Sequence, residues 1–388
     1  MKVAVYYPWV YLKGGAERTI LEMIRRSRHS WSVITNHYEP YSTFPEYRKL
    51  DVIELATVSV KRSLFEVAHA AATLLIQRFD WHQFDALMVS SEGLGNLVML
   101  RPFLPPAFCF CHTPLKIAHD PISRARFLAR RRAWLLRLGI RAFTLVDRLT
   151  WPRYRRVFCN SEETRQRLLR SRLVHPSKIE VLHPGVDTQQ LKPSWHMKPY
   201  FVLPGRIMWT KNIELGIAAF KEFLHQEPAS DSFRLVIAGM LDYKSRDYCR
   251  ELMRQAGNDE RIEFVISPDD EKMRELYRNA WAVLSTSLNE DWGISIIEGM
   301  AFGKPVIAVN QGGPKESVID GESGFLCEPV PAAFAEKMQV LAGDQTLTRS
   351  MGRVGRRRTI QYDWEYFTRR IDEYIDQLCL DAPGASDG

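Results

Sequence analysis

Four short stretches of this 388-residue chain combine residue types and spacings that could act on a phosphorylated ligand. The most informative runs from Asn289 to Ala301. It holds Glu290 and Glu298, with Gly293, Ile294 and Ser295 between them. The pattern predicts a strand, a loop and then a helix, with Glu290 in the loop and Glu298 about a turn into the helix. Amides at a helix N-terminus favour phosphate, and a carboxylate on either side can accept from hydroxyls at the two ends of a ligand. Two sugars separated by a diphosphate have that layout. The plainer reading is that Glu298 caps or solvates its helix. The apolar residues around it, Ile294, Ile296, Ile297 and Met300, argue against that.

The second stretch is Gly205-Arg206 with Lys211 five residues on. Arg binds phosphate bidentately and Lys as a point charge, so the two could hold a diphosphate. Two solvated surface cations are the ordinary alternative. The third is Gly14-Gly15-Ala16-Glu17-Arg18, where adjacent glycines before a helix let backbone amides approach an anion. By itself this is equally a tight strand-to-helix turn, and it lacks the G-x-G-x-x-G dinucleotide fingerprint. The fourth is Cys111-His112-Thr113-Pro114 at the end of an apolar run. Its histidine either faces a ligand or is a satisfied interior residue beside a proline turn.

These stretches fall at the ends of expected strands. In the first half, Val3–Tyr7, Trp31–Thr35, Val52–Leu55, Ala86–Ser90, Phe108–His112 and Val157–Asn160 read as strands. Ala16–Arg26, Leu64–Arg78, Ser123–Leu149 and Glu162–Arg170 read as helices. The pattern pauses between His183 and Pro199. It resumes with strands at Phe201–Leu203, Arg234–Ala238, Ile262–Val265, Ala282–Thr286 and Val306–Val309. The matching helices are Ile213–Leu224, Tyr243–Ala256, Glu271–Asn279, Ile294–Phe302 and Ala332–Leu341, and a last helix spans Trp364–Leu378. Continuous apolar strands separated by helices indicate parallel sheets covered on both faces, an α/β fold wound twice over. Ligands in such sheets bind beyond the carboxyl ends of the strands.

Size and composition agree with two soluble α/β domains. Hydrophobic residues make up 45% and charged residues 26% of the chain, which does not suggest disorder. No apolar run reaches the roughly 18 residues needed to span a bilayer. The first residues read as a strand and not as a secretory signal. Six cysteines are sparse, with Cys109 and Cys111 on one face of a strand, so reduced thiols and a cytoplasmic setting are expected. No ligand spacing suggests zinc, no Asp-x-Asp signature suggests a divalent metal, and no cofactor is expected.

Together the four stretches resemble the retaining glycosyltransferases of family 4, which have the GT-B fold. The resemblance extends through Asn160-Ser161-Glu162, His183-Pro184-Gly185-Val186-Asp187, Gly303-Lys304-Pro305-Val306-Ile307-Ala308, Gly312-Gly313-Pro314 and Asp320-Gly321-Glu322-Ser323-Gly324-Phe325. It implies two Rossmann-like doubly wound domains with an interdomain cleft. Residues 1–190 would form an acceptor-binding domain and residues 191–362 a nucleotide-sugar-binding domain. Residues 363–388 would return to the first domain as a helix and tail. It also implies roles. Arg206 and Lys211 would hold the donor diphosphate and stabilise it as it leaves, and Glu298 would bind the ribose. Glu290 would contact the donor sugar, and Gly293 and Ile294 would supply helix amides. Gly14 and Gly15 would bring backbone to the phosphates, and His112 would lie near the reacting sugar.

The segment His112-Thr113-Pro114-Leu115-Lys116 looks most like the branch that uses GDP-mannose, and Asn36-His37-Tyr38 and Phe44-Pro45-Glu46 point the same way. Lys116 stands where the common relatives carry Arg. The expected reaction transfers mannose from GDP-mannose to a saccharide or lipid-linked saccharide, in cell-surface polysaccharide or glycoconjugate synthesis. It would retain anomeric configuration without metal, by a front-face route in preference to one through a covalent intermediate. A UDP-sugar transferase of the same fold and a nucleotide-sugar epimerase are the alternatives.

The net charge of +7 favours anionic partners. Between Arg124 and Arg156 the chain has eleven arginines and one acid, Asp147. Phe127, Trp134, Leu138, Leu145 and Leu149 fall there at helical spacing, with Arg130, Arg137, Arg141 and Arg148 beside them. Such a helix either lies peripherally on an anionic membrane or is an interior helix with solvated arginines. No nucleic-acid-binding module is recognisable, so nucleic acid is not an expected partner.

Overall fold

The computed structural model describes residues 1–60, 64–128, 133–226 and 232–380. It divides into two compact units. One holds Met1–Pro184 together with the chain from Trp364 onward, and the other holds Gly185–Asp363.

The strands, in chain order, are β1 (Lys2–Tyr6), β2 (Ser30–Thr35), β3 (Asp51–Glu54), β4 (Ala86–Ser91), β5 (Ala107–Cys111), β6 (Val157–Cys159), β7 (Ile179–Val181), β8 (Tyr200–Pro204), β9 (Arg234–Gly239), β10 (Ile262–Ile266), β11 (Ala282–Ser285), β12 (Val306–Val309) and β13 (Gly324–Cys327). The helices are α1 (Gly15–Arg26), α2 (Leu64–Ile76), α3 (Lys116–His119), α4 (Pro121–Leu128), α5 (Ala133–Thr150), α6 (Glu162–Arg170), α7 (Ile213–Gln226), α8 (Arg246–Ala256), α9 (Asp270–Asn279), α10 (Ile294–Ala301), α11 (Pro314–Ser317), α12 (Pro331–Gly343), α13 (Gln345–Thr359) and α14 (Trp364–Leu380).

The first unit is built on a parallel sheet ordered β3-β2-β1-β4-β5-β6-β7. Its central strands are buried on both faces, as their unbroken apolar runs require. Ala4, Tyr6, Leu87, Val89, Cys109, Cys111 and Cys159 face one way, onto α2, α5 and a 3-10 turn over Leu94–Leu100. Val3, Val5, Met88, Phe108, Phe110 and Phe158 face the other way, onto α1 and α14. The last helix belongs to this unit through Phe367, Ile371, Tyr374 and Ile375. Ser27 Oγ donates to Asp372 at 2.5 Å, which ties the end of α1 to α14.

The second unit is a parallel sheet ordered β10-β9-β8-β11-β12-β13. In both sheets the chain works outward to one edge and then restarts at the centre. That places a topological switch between β1 and β4 in the first unit and between β8 and β11 in the second. Loops leaving strands on either side of a switch diverge and leave a crevice.

Five elements are absent from the sequence reading: the strands β7 and β13 and the helices α3, α11 and α13, of which α3 and α11 have four residues each. The two strands have only three and four residues, too short for a periodic signal. Helix α13 is polar and contains Gly352 and Gly355. A Cβ on Gly352 would lie 2.0 Å from the Gly303 carbonyl oxygen, so the glycine that weakens the helical signal lets the helix pack closely. The expected helix Ser123–Leu149 corresponds to α4 and α5, with residues 129–132, including Arg130, outside the described residues. The side chain of Phe127 also lies outside them.

Candidate functional site

The second unit brings the expected donor residues together at its switch point. β8 ends in Pro204, and the chain turns through Gly205 and the exposed Arg206 into a 3-10 turn, Trp209–Lys211. Asn212 ends that turn in the left-handed region (φ 47°). The loop after β11 lies alongside. Thr286 Oγ1 donates to the Lys211 carbonyl at 2.8 Å, and the Leu288 amide donates to the Thr210 carbonyl at 2.9 Å. These bonds bring Lys211 to Glu290: Nζ lies 2.5 Å from Oε2, and both side chains are mostly buried.

Glu290 is fixed from the opposite side by the loop after β12. The Gly313 amide donates to the Glu290 carbonyl at 2.9 Å. Gly312 has φ +67°, and a Cβ there would lie 2.2 Å from the same carbonyl oxygen. Only glycine allows this approach without moving the acidic loop. Trp292 is buried edge-on against Tyr362, 4.9 Å between ring centroids, and anchors the end of the loop. Gly293 then caps α10 with φ 90°, and Ile294 opens the helix. The first-turn amides of α10 therefore follow the Lys211–Glu290 pair directly.

Glu298 lies one turn into α10 and is partly buried. Tyr277 on α9 donates its hydroxyl to Glu298 Oε2 at 3.0 Å. The Tyr277 ring stacks on Phe302, 5.9 Å between centroids. Glu298 is thus an oriented carboxylate and does not cap its own helix. The second unit gathers Arg206, Lys211, Glu290, Gly293, Ile294 and Glu298 on adjacent loops and one helix. Cations, helix amides and two carboxylates in that order can meet a ligand with a charged centre and hydroxylated ends.

Gly14, Gly15 and His112 belong to the first unit. Gly14 is the N-cap of α1 and Gly15 its first residue, at the end of the loop after β1. Glu17 is buried at the third helical position, and a Cβ on Gly14 would lie 2.5 Å from its Oε2. The Glu17 carboxylate thus lies close to the cap residue. It puts negative charge at the same helix end that was assigned to phosphate. His112 directly follows β5 and is buried. Its Nε2 shares a 2.8 Å hydrogen bond with Ser90 Oγ at the end of β4, and its ring lies edge-on to Phe110. Below it, Arg167 donates to Thr113 Oγ1 at 3.0 Å. Burial alone would raise the Asp120 carboxyl, but hydrogen bonds from Ser123 and the charges of Arg167 and Lys116 hold it below the usual carboxylate range.

The residues that sequence reasoning missed are Tyr277, Thr286 and Ser90, which hydrogen-bond the Glu298 carboxylate, the Lys211 carbonyl and the His112 ring from other elements. Only Ser90 carried a signal, as a polar residue ending an apolar strand. Lys304, within the Gly303-Lys304-Pro305 motif, is buried. It donates to the carbonyls of Ser194 and His196 at 2.7 and 2.9 Å, and burial pushes its ammonium down to about 7. Among the described residues, no group of three or more His, Cys, Asp or Glu is arranged to hold a metal ion. No helix among them is long and apolar enough to cross a membrane.

Known proteins resemble this chain. The family model described as glycosyltransferase family 4 matches residues 13–190, and that described as glycosyl transferases group 1 matches residues 187–358. The alpha-1,3/1,6-mannosyltransferase ALG2 of Dictyostelium discoideum is 25% identical over 97% of this chain and 98% of its own length. Human ALG2 is 26% identical over 95% of this chain and 94% of its own. Among solved structures, sucrose-phosphate synthase from Thermosynechococcus elongatus superposes with a TM-score of 0.77 at 20% identity, covering 97% of this chain and 99% of that one. Two family models meeting at the junction of the two units, and a shared fold over nearly the whole chain, establish that this protein is a glycosyltransferase of family 4 with GT-B architecture.

Proposed function

We propose that the enzyme transfers mannose from GDP-mannose to a lipid-linked saccharide, with retention of anomeric configuration and without a metal ion. The observation that carries this reading is the second-unit site, in which Lys211, Glu290, the N-terminus of α10 and Glu298 follow one another along adjacent loops. A nucleotide diphosphate sugar has the matching sequence of groups. The sugar identity rests on the full-length likeness to alpha-1,3/1,6-mannosyltransferases.

In this reading Arg206 and Lys211 take the diphosphate and stabilise its charge as it leaves, helped by the Gly293 and Ile294 amides. Glu298 accepts from the ribose hydroxyls and Glu290 from the hydroxyls of mannose. Lys211 pairs with Glu290, so the cation is held beside the carboxylate that orients the sugar. From the first domain, Gly14 and Gly15 are assigned to phosphate and His112 to the reacting sugar. The departing phosphate deprotonates the acceptor hydroxyl on the face it leaves. The enzyme is assigned to the cytoplasm, at the inner face of a membrane that carries its acceptor.

The test is a donor panel. Purified protein is incubated with a polyprenyl-diphosphate-linked oligosaccharide and GDP-mannose, GDP-fucose, UDP-glucose or UDP-N-acetylglucosamine, with and without EDTA. Transfer from GDP-mannose that survives EDTA supports the reading. Transfer only from a UDP-sugar would replace the donor, and loss in EDTA with rescue by magnesium would overturn the metal-free route. Conversion of donor without acceptor would point to an epimerase.

A further inference from the structure

The motif Asn160-Ser161-Glu162 has no part in the donor site of the second unit; it opens α6 in the first. β6 lies beside β5 with Cys159 in register with Cys111, so the chain leaving β6 runs alongside the chain leaving β5. The Asn160 amide donates to the Cys111 carbonyl at 3.3 Å, one residue before His112. Ser161 then caps α6. Its Oγ accepts from the Thr164 amide at 3.0 Å, and Glu162 and Glu163 follow in the first turn. A side-chain cap and early acids fix where such a helix begins. The start of α6 is therefore set against the end of β5.

Two side chains on one face of α6 reach the His112 segment. Thr164 and Arg167 are three residues apart, hence neighbours on the helix surface, and both are buried. Thr164 Oγ1 lies 3.5 Å from the His112 carbonyl oxygen. Arg167 donates to Thr113 Oγ1 at 3.0 Å, and Thr113 donates in turn to the Pro114 carbonyl at 3.1 Å. The Arg167 side chain is only 4% exposed, and it lies 3.4 Å from Glu163 on its own helix. Its charge also acts on Asp120, which accepts from the Ser123 amide at the start of α4. A guanidinium this deep is costly to desolvate, and an apolar residue of similar size often serves stability as well. What an apolar residue could not do is hold Thr113.

We propose that Arg167 is a positioning residue for the transfer reaction: acting through Thr113, it sets where His112 lies at the end of β5. The proposal rests on the reading that His112 lies near the reacting sugar. From the β4 side, Ser90 Oγ holds the His112 ring at 2.8 Å, and the His112 amide donates to the Ser91 carbonyl at 3.0 Å. Those bonds fix the ring and the amide. Arg167 fixes the residue that follows, and with it the peptide that joins the two. A misplacement of about 1 Å at a reacting centre can cost roughly a hundredfold in rate. The nucleotide is assigned to the second unit, so its affinity should not register the change.

The test is a set of substitutions in the full chain, read in turnover, GDP affinity and thermal unfolding together. Thr113→Val keeps the shape of the side chain and removes its hydroxyl. With GDP-mannose and the polyprenyl-diphosphate-linked oligosaccharide, its kcat should fall about ten- to a hundredfold. Its KM for GDP-mannose, its GDP Kd and its unfolding temperature should stay at wild-type values. Thr113→Ser restores the hydroxyl and should recover most of the lost turnover. Arg167→Met should lose turnover to the same extent. The double variant Thr113→Val/Arg167→Met should lose no more than the larger single loss, because both changes remove one interaction. Arg167→Met also strips Glu163 of its ion pair and should unfold at a lower temperature; the two Thr113 variants, which alter no charge, carry the test if it does not fold. His112→Ala separates the underlying reading. Wild-type turnover in His112→Ala would remove His112 from the reaction, and the proposal with it. Loss in His112→Ala with wild-type turnover in Thr113→Val would overturn the proposal alone. A fall in GDP affinity that matches the fall in kcat, or losses that multiply in the double variant, would also overturn it.

Discussion

Lys211 Nζ lies 2.5 Å from Glu290 Oε2, joining the loop that leaves β8 to the loop that leaves β11. The two residues stand 79 positions apart in the chain and meet because β8 and β11 are neighbours at the switch of the sheet. A cation and a carboxylate from two different loops are therefore held side by side.

The acidic loop is held by a backbone approach that only glycine permits. Gly312→Ala would put a Cβ 2.2 Å from the Glu290 carbonyl oxygen at a positive φ. Gly321 also has positive φ (+77°), but nothing lies within 4 Å of where its Cβ would be. Both substitutions carry the backbone cost of about 1–2 kcal/mol, and only Gly312→Ala displaces the loop. GDP-mannose turnover should fall steeply in Gly312→Ala and stay near wild type in Gly321→Ala. Comparable turnover in the two would mean that the loop tolerates displacement.

Tyr277 orients Glu298 through a hydrogen bond from its hydroxyl, so Tyr277→Phe should weaken nucleotide binding while leaving the carboxylate in place. A hydrogen bond to a charged group at a partly exposed site is worth about 1.5 kcal/mol, or roughly tenfold in Kd. GDP titration should show a loss of that order, smaller than the loss in Glu298→Gln. Unchanged GDP affinity in Tyr277→Phe would remove its positioning role.

Much of this architecture is legible in the sequence because parallel strands buried on both faces read as continuous apolar runs. Glu290, Gly293 and Glu298 were likewise visible, since loop, cap and first turn are consecutive in the chain. What the sequence concealed are partners brought in by topology. Nothing around Tyr277 announces that its hydroxyl will reach a carboxylate 21 residues later. Thr286 reads as one more strand residue, although it fixes Lys211. Glu17 stands beside two glycines suited to phosphate, and its reach back toward Gly14 emerges only once α1 has formed.

Lys304 makes stability depend on pH. Burial lowers its ammonium to about 7 in the folded protein, against about 10.4 in an unfolded chain. Between those values the unfolded chain binds one more proton than the folded one, so stability rises with pH from about 7 to about 10. A neutral amine keeps two N–H groups, enough for the Ser194 and His196 carbonyls. Urea unfolding of wild type and Lys304→Met across this window should show the stability difference moving in favour of wild type as pH rises. A pH-independent difference would mean that Lys304 stays charged in the fold.

The most direct test of the donor site is calorimetric titration of GDP into Glu298→Gln and Glu290→Gln. Glu298 is assigned to ribose, which GDP and GDP-mannose share, so Glu298→Gln should weaken both ligands by about 1.5–3 kcal/mol. Glu290 is assigned to mannose alone and sits against Lys211. Glu290→Gln should therefore bind GDP as well as wild type or more tightly, because Lys211 no longer shares its charge with a carboxylate. Its loss should appear in kcat for GDP-mannose. Equal loss of GDP affinity in the two variants, or a loss confined to Glu290→Gln, would contradict the assignment of the pair.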